Sequence, residues 1–121
     1  MKRILIVDDE PFNLDLLSQI LEEDYEVIEA SNGRKGLEAA RAEKPDLILL
    51  DMLMPEMNGW EVAAAVRTSE GIEHVPIIAV TAQAMSGDEA RAMDAGCNAY
   101  LTKPIDEDVL LEKIAELVGE A

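Results

Sequence analysis

The sequence predicts an α/β domain in which a parallel five-stranded sheet is covered by helices on both faces, a doubly wound arrangement. The chain has 121 residues, which suits one domain, and 49% of them are apolar, which is enough for a packed core. Short apolar runs alternate with segments of helical periodicity. Within a run the apolar residues do not alternate with polar ones, a pattern typical of parallel strands buried on both faces.

Five short runs rich in branched apolar residues are expected to form the strands. They are residues 3–7, 26–30, 46–50, 76–80 and 99–101. Parallel strands require crossover connections, and these are right-handed. Five strand–helix units in this length therefore favour one sheet with helices packed on either side.

Apolar stripes at helical spacing lie between the runs. The stripes consist of Leu16, Leu17, Ile20 and Leu21; of Val62 and Val66; and of Val109, Leu110, Ile114, Leu117 and Val118. Pro11 suits the first turn of a helix. Residues 86–89, Ser-Gly-Asp-Glu, resemble a capping box, and Gly96 is a suitable end for the helix that follows.

The chain is strongly acidic, with 26 Asp and Glu against 10 Lys and Arg and a formal net charge of −16. A nucleic-acid binder needs a basic face, and an anionic membrane would repel this chain. The acids are concentrated near both ends, with nine acids and no base between positions 4 and 33. This distribution favours a protein partner whose contact surface is basic.

Compartment is indicated by two further features. Cys97 is the only cysteine, so no internal disulfide can form, and a reducing environment is expected. No stretch approaches the about 18 apolar residues of a transmembrane helix, and the N-terminal apolar stretch is too short for a signal peptide. The sequence therefore predicts a cytoplasmic domain.

Polar residues follow four of the apolar runs. Asp8 and Asp9 come after the first run, Asp51 after the third, Thr81 after the fourth and Lys103 after the fifth. In an open parallel sheet, sites form beyond the carboxyl ends of the strands. We therefore expect three carboxylates, a hydroxyl and an ammonium group at one edge of the sheet.

Each of these residues also has an ordinary structural interpretation. Asp8 or Asp9 alone could be a helix cap, Thr81 is common in strand-forming segments, and Lys103 could be a solvated charge. Asp51 is harder to explain in this way, because an acid that ends an apolar strand needs a partner. The combination favours a site.

Phosphoryl capture on a carboxylate is the chemistry that would use this set. Clustered carboxylates repel one another, and hard oxygen ligands select Mg²⁺ or a similar cation. The cation would neutralise charge on an incoming phosphoryl group while one carboxylate attacks it. An ammonium and a hydroxyl could bind other phosphoryl oxygens.

Four motifs carry a resemblance to a known family. They are Val7-Asp8-Asp9-Glu10, Leu49-Leu50-Asp51-Met52-Leu53-Met54-Pro55-Glu56-Met57-Asn58-Gly59, Val80-Thr81-Ala82 and Tyr100-Leu101-Thr102-Lys103-Pro104. Together they resemble the receiver domain of two-component response regulators, of the single-domain chemotaxis-regulator type, along the whole chain. The resemblance implies a flavodoxin-like (βα)5 fold with strand order 2-1-3-4-5, and a receiver over residues 1–121 with no output domain.

The resemblance also implies a role for each site residue. Asp51 would be the phosphoacceptor. The Mg²⁺ ligands would be Asp8, Asp9, Asp51 and the backbone carbonyl of Leu53. The phosphoryl group would be bound by Lys103, Thr81 and Ala82, the switch pair would be Thr81 and Tyr100, and the peptide bond before Pro104 would be cis.

The function implied is a phosphorylation-dependent switch. A sensor histidine kinase or a histidine phosphotransfer protein would supply the phosphoryl group, and a protein target would bind the face formed by helix 4, strand 5 and helix 5. Such a domain is not a conventional enzyme. Neither Leu53 nor Gln83, which stand two residues after Asp51 and Thr81, is an acid that could orient water, so slow self-dephosphorylation is expected.

Several alternatives stay open at the level of sequence. The chain could be a receiver excised from a hybrid histidine kinase, or a degenerate receiver scaffold that works without phosphate. A phosphohydrolase of the haloacid dehalogenase type would carry an Asp-x-Asp motif after the first strand, which Asp8-Asp9-Glu10 does not match. A nucleotide-binding domain would carry a glycine-rich loop there.

Overall fold

Strands and helices alternate throughout the computed structural model, which describes residues 1–82 and 86–119. The strands are β1 (Arg3–Val7), β2 (Glu26–Ala30), β3 (Leu47–Asp51), β4 (Ile77–Thr81) and β5 (Ala99–Thr102). The helices are α1 (Pro11–Leu21), α2 (Gly33–Glu43), α3 (Gly59–Arg67), α4 (Asp88–Asp94) and α5 (Glu107–Val118). All neighbouring strands are parallel, in the order β2-β1-β3-β4-β5. The predicted flavodoxin-like, doubly wound sheet is confirmed.

Three strands, β3, β4 and β5, end one residue later than the apolar pattern predicts. β3 includes Asp51, whose register partner is Val80, and β4 includes Thr81, whose partner is Thr102. The backbone of a polar residue continues a hydrogen-bonded ladder as well as that of an apolar one, so apolarity alone does not mark the end of a strand. The side chains of Asp51 and Thr81 are therefore held by the sheet rather than by a loop.

The sheet separates two hydrophobic cores. Leu47 and Leu49 of β3 pack in the core beneath α1 and α5. Ile48 and Leu50 pack in the other core, beneath α2, α3 and α4. Successive side chains of a strand point to opposite faces, so a strand covered on both sides must be apolar throughout. This is the physical reason for the missing alternation in the sequence.

Most helices begin at a residue that satisfies the exposed backbone N–H groups. Pro11 opens α1, as predicted. The side chain of Asn32 caps α2, and Asp106 caps α5. Asn58 and Glu61 form a reciprocal capping box at the start of α3. These caps fix the helix starts, which face the carboxyl edge of the sheet.

α4 differs from the other helices. The predicted capping box at residues 86–89 is wrong, because the N-cap is Gly87, with φ 89°, and no side chain in the described residues caps this helix. The left-handed backbone of Gly87 shifts the start to Asp88, so Ser86 lies too early to cap it. Gly96, with φ 113°, follows the end of α4, as predicted.

The packing of α4 is also slight. The sequence has few large apolar residues over positions 83–95, which predicts a lightly anchored helix; residues 83–85 lie outside the described part of the chain. Of the seven residues of α4, all of them described, Ala92 alone is fully buried, and Met93 is largely exposed.

The helices are short. The longest in the described residues, α5, has 12 residues. None of the helices in the described ranges combines the length and the apolar character that a bilayer-spanning helix requires.

Candidate functional site

The polar residues at the strand ends meet at the carboxyl edge of the sheet. Asp8 and Asp9 follow β1, Asp51 ends β3, Thr81 ends β4 and Lys103 follows β5. These four strands are consecutive neighbours in the sheet. The structure therefore brings together the residues that the sequence placed after separate runs.

Three carboxylates form the centre of the site. Oxygen atoms of Asp8, Asp9 and Asp51 all lie within 4.8 Å of one another. Asp8 is 2% exposed and Asp51 is 6% exposed, whereas Asp9 is half-buried. Negative charges this close and this poorly hydrated are unfavourable without a counter-charge. The cluster therefore needs a cation.

Hydrogen bonds orient the two buried carboxylates. Asp8 Oδ1 accepts from the backbone N–H of Glu10 at 2.9 Å. Asp51 Oδ1 accepts from the backbone N–H of Leu53 at 3.1 Å. The Oδ2 atoms of both residues face the Nζ of Lys103. Each side chain is thus held by its own loop and presents its second oxygen to the site.

Lys103 supplies the positive charge at this edge. Its Nζ lies 3.0 Å from Asp8 Oδ2 and 3.9 Å from Asp51 Oδ2, so its shorter contact is with Asp8. The backbone N–H of Lys103 donates to the carbonyl of Thr81 at 2.8 Å, which ties the end of β5 to the end of β4. The peptide bond between Lys103 and Pro104 is cis.

The pKa of Asp51 is raised from its usual 3.8 to about 6. Burial is the largest cause, followed by the negative charge of Asp8. The hydrogen bond from Leu53 and the ammonium of Lys103 act in the opposite direction but do not cancel these effects. Asp51 is therefore a carboxylate at neutral pH, yet one that is more basic and more nucleophilic than an exposed aspartate.

Thr81 and Tyr100 lie on adjacent strands near the site. Thr81 is 3% exposed, and Ala82, the next residue, is exposed. Tyr100 is half-buried on β5, opposite Ala79 in the register. The hydroxyl oxygen of Tyr100 is buried and has no hydrogen-bond partner among the described residues. An unsatisfied buried hydroxyl gains from any rearrangement that gives it a partner.

The loop after β3 folds closely over the end of β3, where Asp51 lies. The backbone N–H of Gly59 donates to the carbonyl of Met52 at 3.1 Å, and the N–H of Met52 donates to Val80 at 3.0 Å. Leu53, in this loop, is 43% exposed beside Asp51. Gln83, which the sequence singled out together with Leu53, lies outside the described residues.

The site fits a small divalent cation. Its three carboxylates offer the hard oxygen ligands that Mg²⁺ prefers, and one lysine does not balance their charge. The pKa of Asp51 is raised first by burial and then by the negative charge of Asp8, and a bound cation would offset both effects. The donor set and its charge therefore match Mg²⁺, as predicted from the sequence.

An apolar groove beside the site was not predicted. It lies between α1 and residues 103–105, has a volume of about 410 Å³ and borders Lys103. Phe12 is 74% exposed and Leu16 is 46% exposed at its rim. Leu16, which belongs to the apolar stripe identified in the sequence, lines this groove, whereas Leu14, Leu17 and Leu21 are buried in the core. The i, i+4 spacing of Phe12, Leu16 and Ile20 is the signal that marks this second apolar line.

Comparison with known proteins agrees with this geometry. The model of the response regulator receiver domain family matches residues 4–115. The polar-differentiation response regulator DivK of Brucella anthropi is 41% identical over 121 residues, covering 99% of this chain and 98% of that protein. DivK of Brucella ovis shows the same identity and coverage.

Solved structures show the same fold with similar sequences. The chemotaxis protein CheY4 of Vibrio cholerae superposes with a TM-score of 0.91 at 30% identity, covering 97% of this chain and 98% of that one. The receiver domain of a sensor histidine kinase from Pseudomonas aeruginosa superposes with a TM-score of 0.90 at 32% identity, covering 98% of both chains. That protein holds a magnesium ion coordinated in its active site cleft. With its fold, its acidic cluster and these relatives, the chain belongs to the response regulator receiver domain family of two-component signalling.

Proposed function

We propose that this receiver is a switch in which Asp51 accepts a phosphoryl group and a protein target binds the phosphorylated form. The observation that carries the proposal is the grouping of three carboxylates within 4.8 Å beside a lysine ammonium. Asp51 is the proposed nucleophile. It ends a rigid strand, its Oδ2 faces Lys103, and its pKa is raised to about 6.

The proposed donor is a phosphohistidine on a sensor kinase or on a phosphotransfer protein. An oxygen of the ionised Asp51 attacks the phosphorus, and an O–P bond forms as the P–N bond breaks. The histidine ring leaves with the electron pair of that bond and takes up a proton. The product is an aspartyl phosphate on this chain, and no other co-reactant is required.

Four groups would hold Mg²⁺, namely the carboxylates of Asp8, Asp9 and Asp51 and the backbone carbonyl of Leu53. When bound, the ion neutralises negative charge on the phosphoryl oxygens. The ammonium of Lys103 would exchange its contact with Asp8 for a phosphoryl oxygen. The hydroxyl of Thr81 and the backbone of Ala82 would bind the other oxygens, and the exposed, small Ala82 leaves the approach to Asp51 open.

The apolar groove between α1 and residues 103–105 is the proposed docking surface for the donor protein. A donor must place its phosphohistidine next to Asp51, and this groove borders Lys103, whose Nζ is 3.9 Å from Asp51. Exposed Phe12 and Leu16 offer a line of apolar contacts at helical spacing. An amphipathic helix of the donor is the partner of matching shape and chemistry.

The output surface is proposed to be the face formed by α4, β5 and α5. Thr81 and Tyr100 connect the site to this face, since Thr81 pairs in register with Thr102 of β5, two residues from Tyr100. If Thr81 turns toward a phosphoryl group, the half-buried Tyr100 ring can move inward. Because α4 buries few side chains, it can then change position at a small free-energy cost.

The proposed reaction modifies the chain itself, so the protein is not a conventional enzyme. Release of phosphate would be slow, because Leu53, exposed beside Asp51, cannot orient an attacking water. A phospho-Asp51 half-life of only seconds in magnesium buffer would contradict this part of the proposal. The phosphorylation itself would not be affected by that result.

Incubation with a small phosphodonor such as acetyl phosphate and Mg²⁺ tests the function directly. Intact mass spectrometry should show the addition of one phosphoryl group, which chelation of the metal prevents. Asp51→Ala should show no adduct. Asp15→Asn removes an exposed aspartate of α1 and should be phosphorylated as the wild type is. An adduct that persists on the Asp51→Ala protein would refute the assignment.

A further inference from the structure

A contact between α3 and α4 stands apart from the phosphorylation site. The Cζ atom of Arg91, on α4, lies 4.2 Å from the centroid of the Trp60 ring, on α3. This distance is typical of a favourable cation–π interaction. The indole Nε1 of Trp60 is buried and has no hydrogen-bond partner among the described residues. The ring is therefore held by packing and by the guanidinium of Arg91.

Trp60 is linked to Asp51 through the tightly packed backbone of its neighbour Gly59. Its neighbour Gly59 packs so tightly that a Cβ there would lie 2.7 Å from the carbonyl oxygen of Asp51 and 2.6 Å from the Cα of Met52. The backbone N–H of Gly59 also donates to the carbonyl of Met52. Since tightly packed backbone transmits displacement, a shift of the Asp51 backbone must move the start of α3 and hence the ring of Trp60.

The contact matters more because α4 is so lightly anchored. Ala92 is the one fully buried residue in this helix, all of whose residues are described, and no side chain there caps its first turn. Arg91 is exposed apart from its contact with Trp60. The cation–π pair therefore adds a contact with α3 to the burial of Ala92.

We propose that Arg91 and Trp60 form a latch that couples the acceptor strand to the position of α4, separately from Thr81 and Tyr100. This inference rests on the proposed function, since it concerns how phosphorylation of Asp51 reaches α4. The contact between Arg91 and Trp60 is formed in the same structure in which Lys103 pairs with Asp8. Occupation of the site by a phosphoryl group opens the latch, and loss of the latch eases that occupation.

Beryllofluoride, which mimics a phosphoryl group on aspartate, provides the test. Its affinity in magnesium buffer can be followed by fluorine NMR, which needs no tryptophan. A cation–π pair of ordinary strength corresponds to about two- to fivefold in an equilibrium constant. Arg91→Ala should therefore bind beryllofluoride about two- to fivefold more tightly than the wild type. Arg34→Ala, which removes an exposed arginine of α2, should leave the affinity unchanged.

Further variants separate the latch from a general loss of packing. Arg91→Lys keeps a cation and should behave nearly as the wild type does. Trp60→Phe should weaken the latch, and Arg91→Ala should then have a smaller effect in that background than in the wild type. Trp60 is the only tryptophan of the chain, so its emission reports the latch directly. Beryllofluoride should change this emission in the wild type and much less in Arg91→Ala.

The outcomes distinguish the latch from the function on which it rests. Unchanged beryllofluoride affinity in Arg91→Ala, with normal binding by the wild type, would overturn the latch alone. If the wild type binds no beryllofluoride, or if Asp51→Asn binds it equally well, the proposed function fails first and the latch has nothing to transmit.

Discussion

Gly59 lies against the backbone of Asp51 so closely that a Cβ at position 59 would stand 2.7 Å from the Asp51 carbonyl oxygen. The same atom would meet the Sδ of Met52 at 2.5 Å. Gly59→Ala must therefore displace the end of β3 or the start of α3. We expect a loss of about 1–3 kcal/mol in the free energy of unfolding, measured by urea denaturation.

The same substitution should weaken magnesium binding, because displacement of Asp51 separates it from Asp8 and Asp9. Titration of Mg²⁺, monitored by Trp60 fluorescence, measures this. Ala64→Leu enlarges an exposed position of the same helix and serves as the control, with an expected stability change within about 0.5 kcal/mol. If Gly59→Ala had the stability and the magnesium affinity of the wild type, the backbone around position 59 would be able to accommodate a Cβ without displacing Asp51.

The raised pKa of Asp51 makes stability depend on pH. Its pKa is about 6 in the folded protein against the usual 3.8, so the folded state binds the proton more tightly than the unfolded state does. The associated stability is fully present below 3.8 and is lost as the pH rises through about 6. In magnesium-free buffer, Asp51→Asn should be more stable than the wild type by about 2 kcal/mol near pH 8.

This advantage should shrink as the pH falls from about 6 to about 4, because the wild-type carboxyl group becomes neutral as well. Urea denaturation of both proteins across this range measures the change. Addition of Mg²⁺ should reduce the difference at neutral pH by stabilising the ionised wild-type site. A stability difference that does not vary with pH would show that burial does not perturb Asp51.

Lys103→Met should raise the affinity for Mg²⁺ while lowering stability in its absence. The ammonium is 3.0 Å from Asp8 and 3.9 Å from Asp51, where it competes with a metal ion for the same oxygens. Its loss should tighten Mg²⁺ binding by about tenfold and lower the free energy of unfolding by about 1–3 kcal/mol. Lys113→Met removes an exposed lysine that pairs with Glu116 at 3.5 Å, and neither quantity should change.

Arg67 joins the end of α3 to the opposite, amino-terminal edge of β4 and β5. Its guanidinium donates to the carbonyl of Gly96 at 2.6 and 3.0 Å, to that of Val75 at 2.7 Å and to Asn98 Oδ1 at 2.9 Å. Arg67→Ala should lower the free energy of unfolding by about 3 kcal/mol because it removes the hydrogen bonds to these acceptors, of which Asn98 Oδ1 keeps the one from the backbone N–H of Ile77. Arg67→Lys should recover only part of the loss, since an ammonium cannot reproduce the fork geometry. Arg34→Ala, on an exposed face, should cost less than about 0.5 kcal/mol in a urea titration.

The fold could be predicted from the sequence because its strands are buried on both faces. In a run such as 46–50, apolar and polar residues cannot alternate, because Leu49 and Leu50 each enter one of the two cores. This pattern can be recognised without knowing which strands are neighbours in the sheet. The edge of the sheet that carries the site followed from the same reasoning. The ends of the strands were harder to predict. The hydrogen-bonded ladder that continues through Asp51 and Thr81 is formed by the backbone, which the apolar pattern does not report.

Features that depend on packing between distant segments could not be predicted in this way. The contact of Lys103 with Asp8 joins residues 95 positions apart. The left-handed Gly87, which moves the start of α4, has no distinct signal in the local pattern. The groove beside Leu16 depends on where residues 103–105 lie. For the contact and the groove, the missing information was tertiary.

The slight packing of α4 has a consequence for local unfolding. A helix of seven residues is too short to be stable alone, and this one buries Ala92 only, among residues that are all described. Its amide protons should therefore exchange with solvent through openings much less costly than global unfolding, while those of β1 and β3 remain protected. Such a helix opens at low free-energy cost. The receiver thus combines a buried, hydrogen-bonded pair of carboxylates with a neighbouring helix of low local stability.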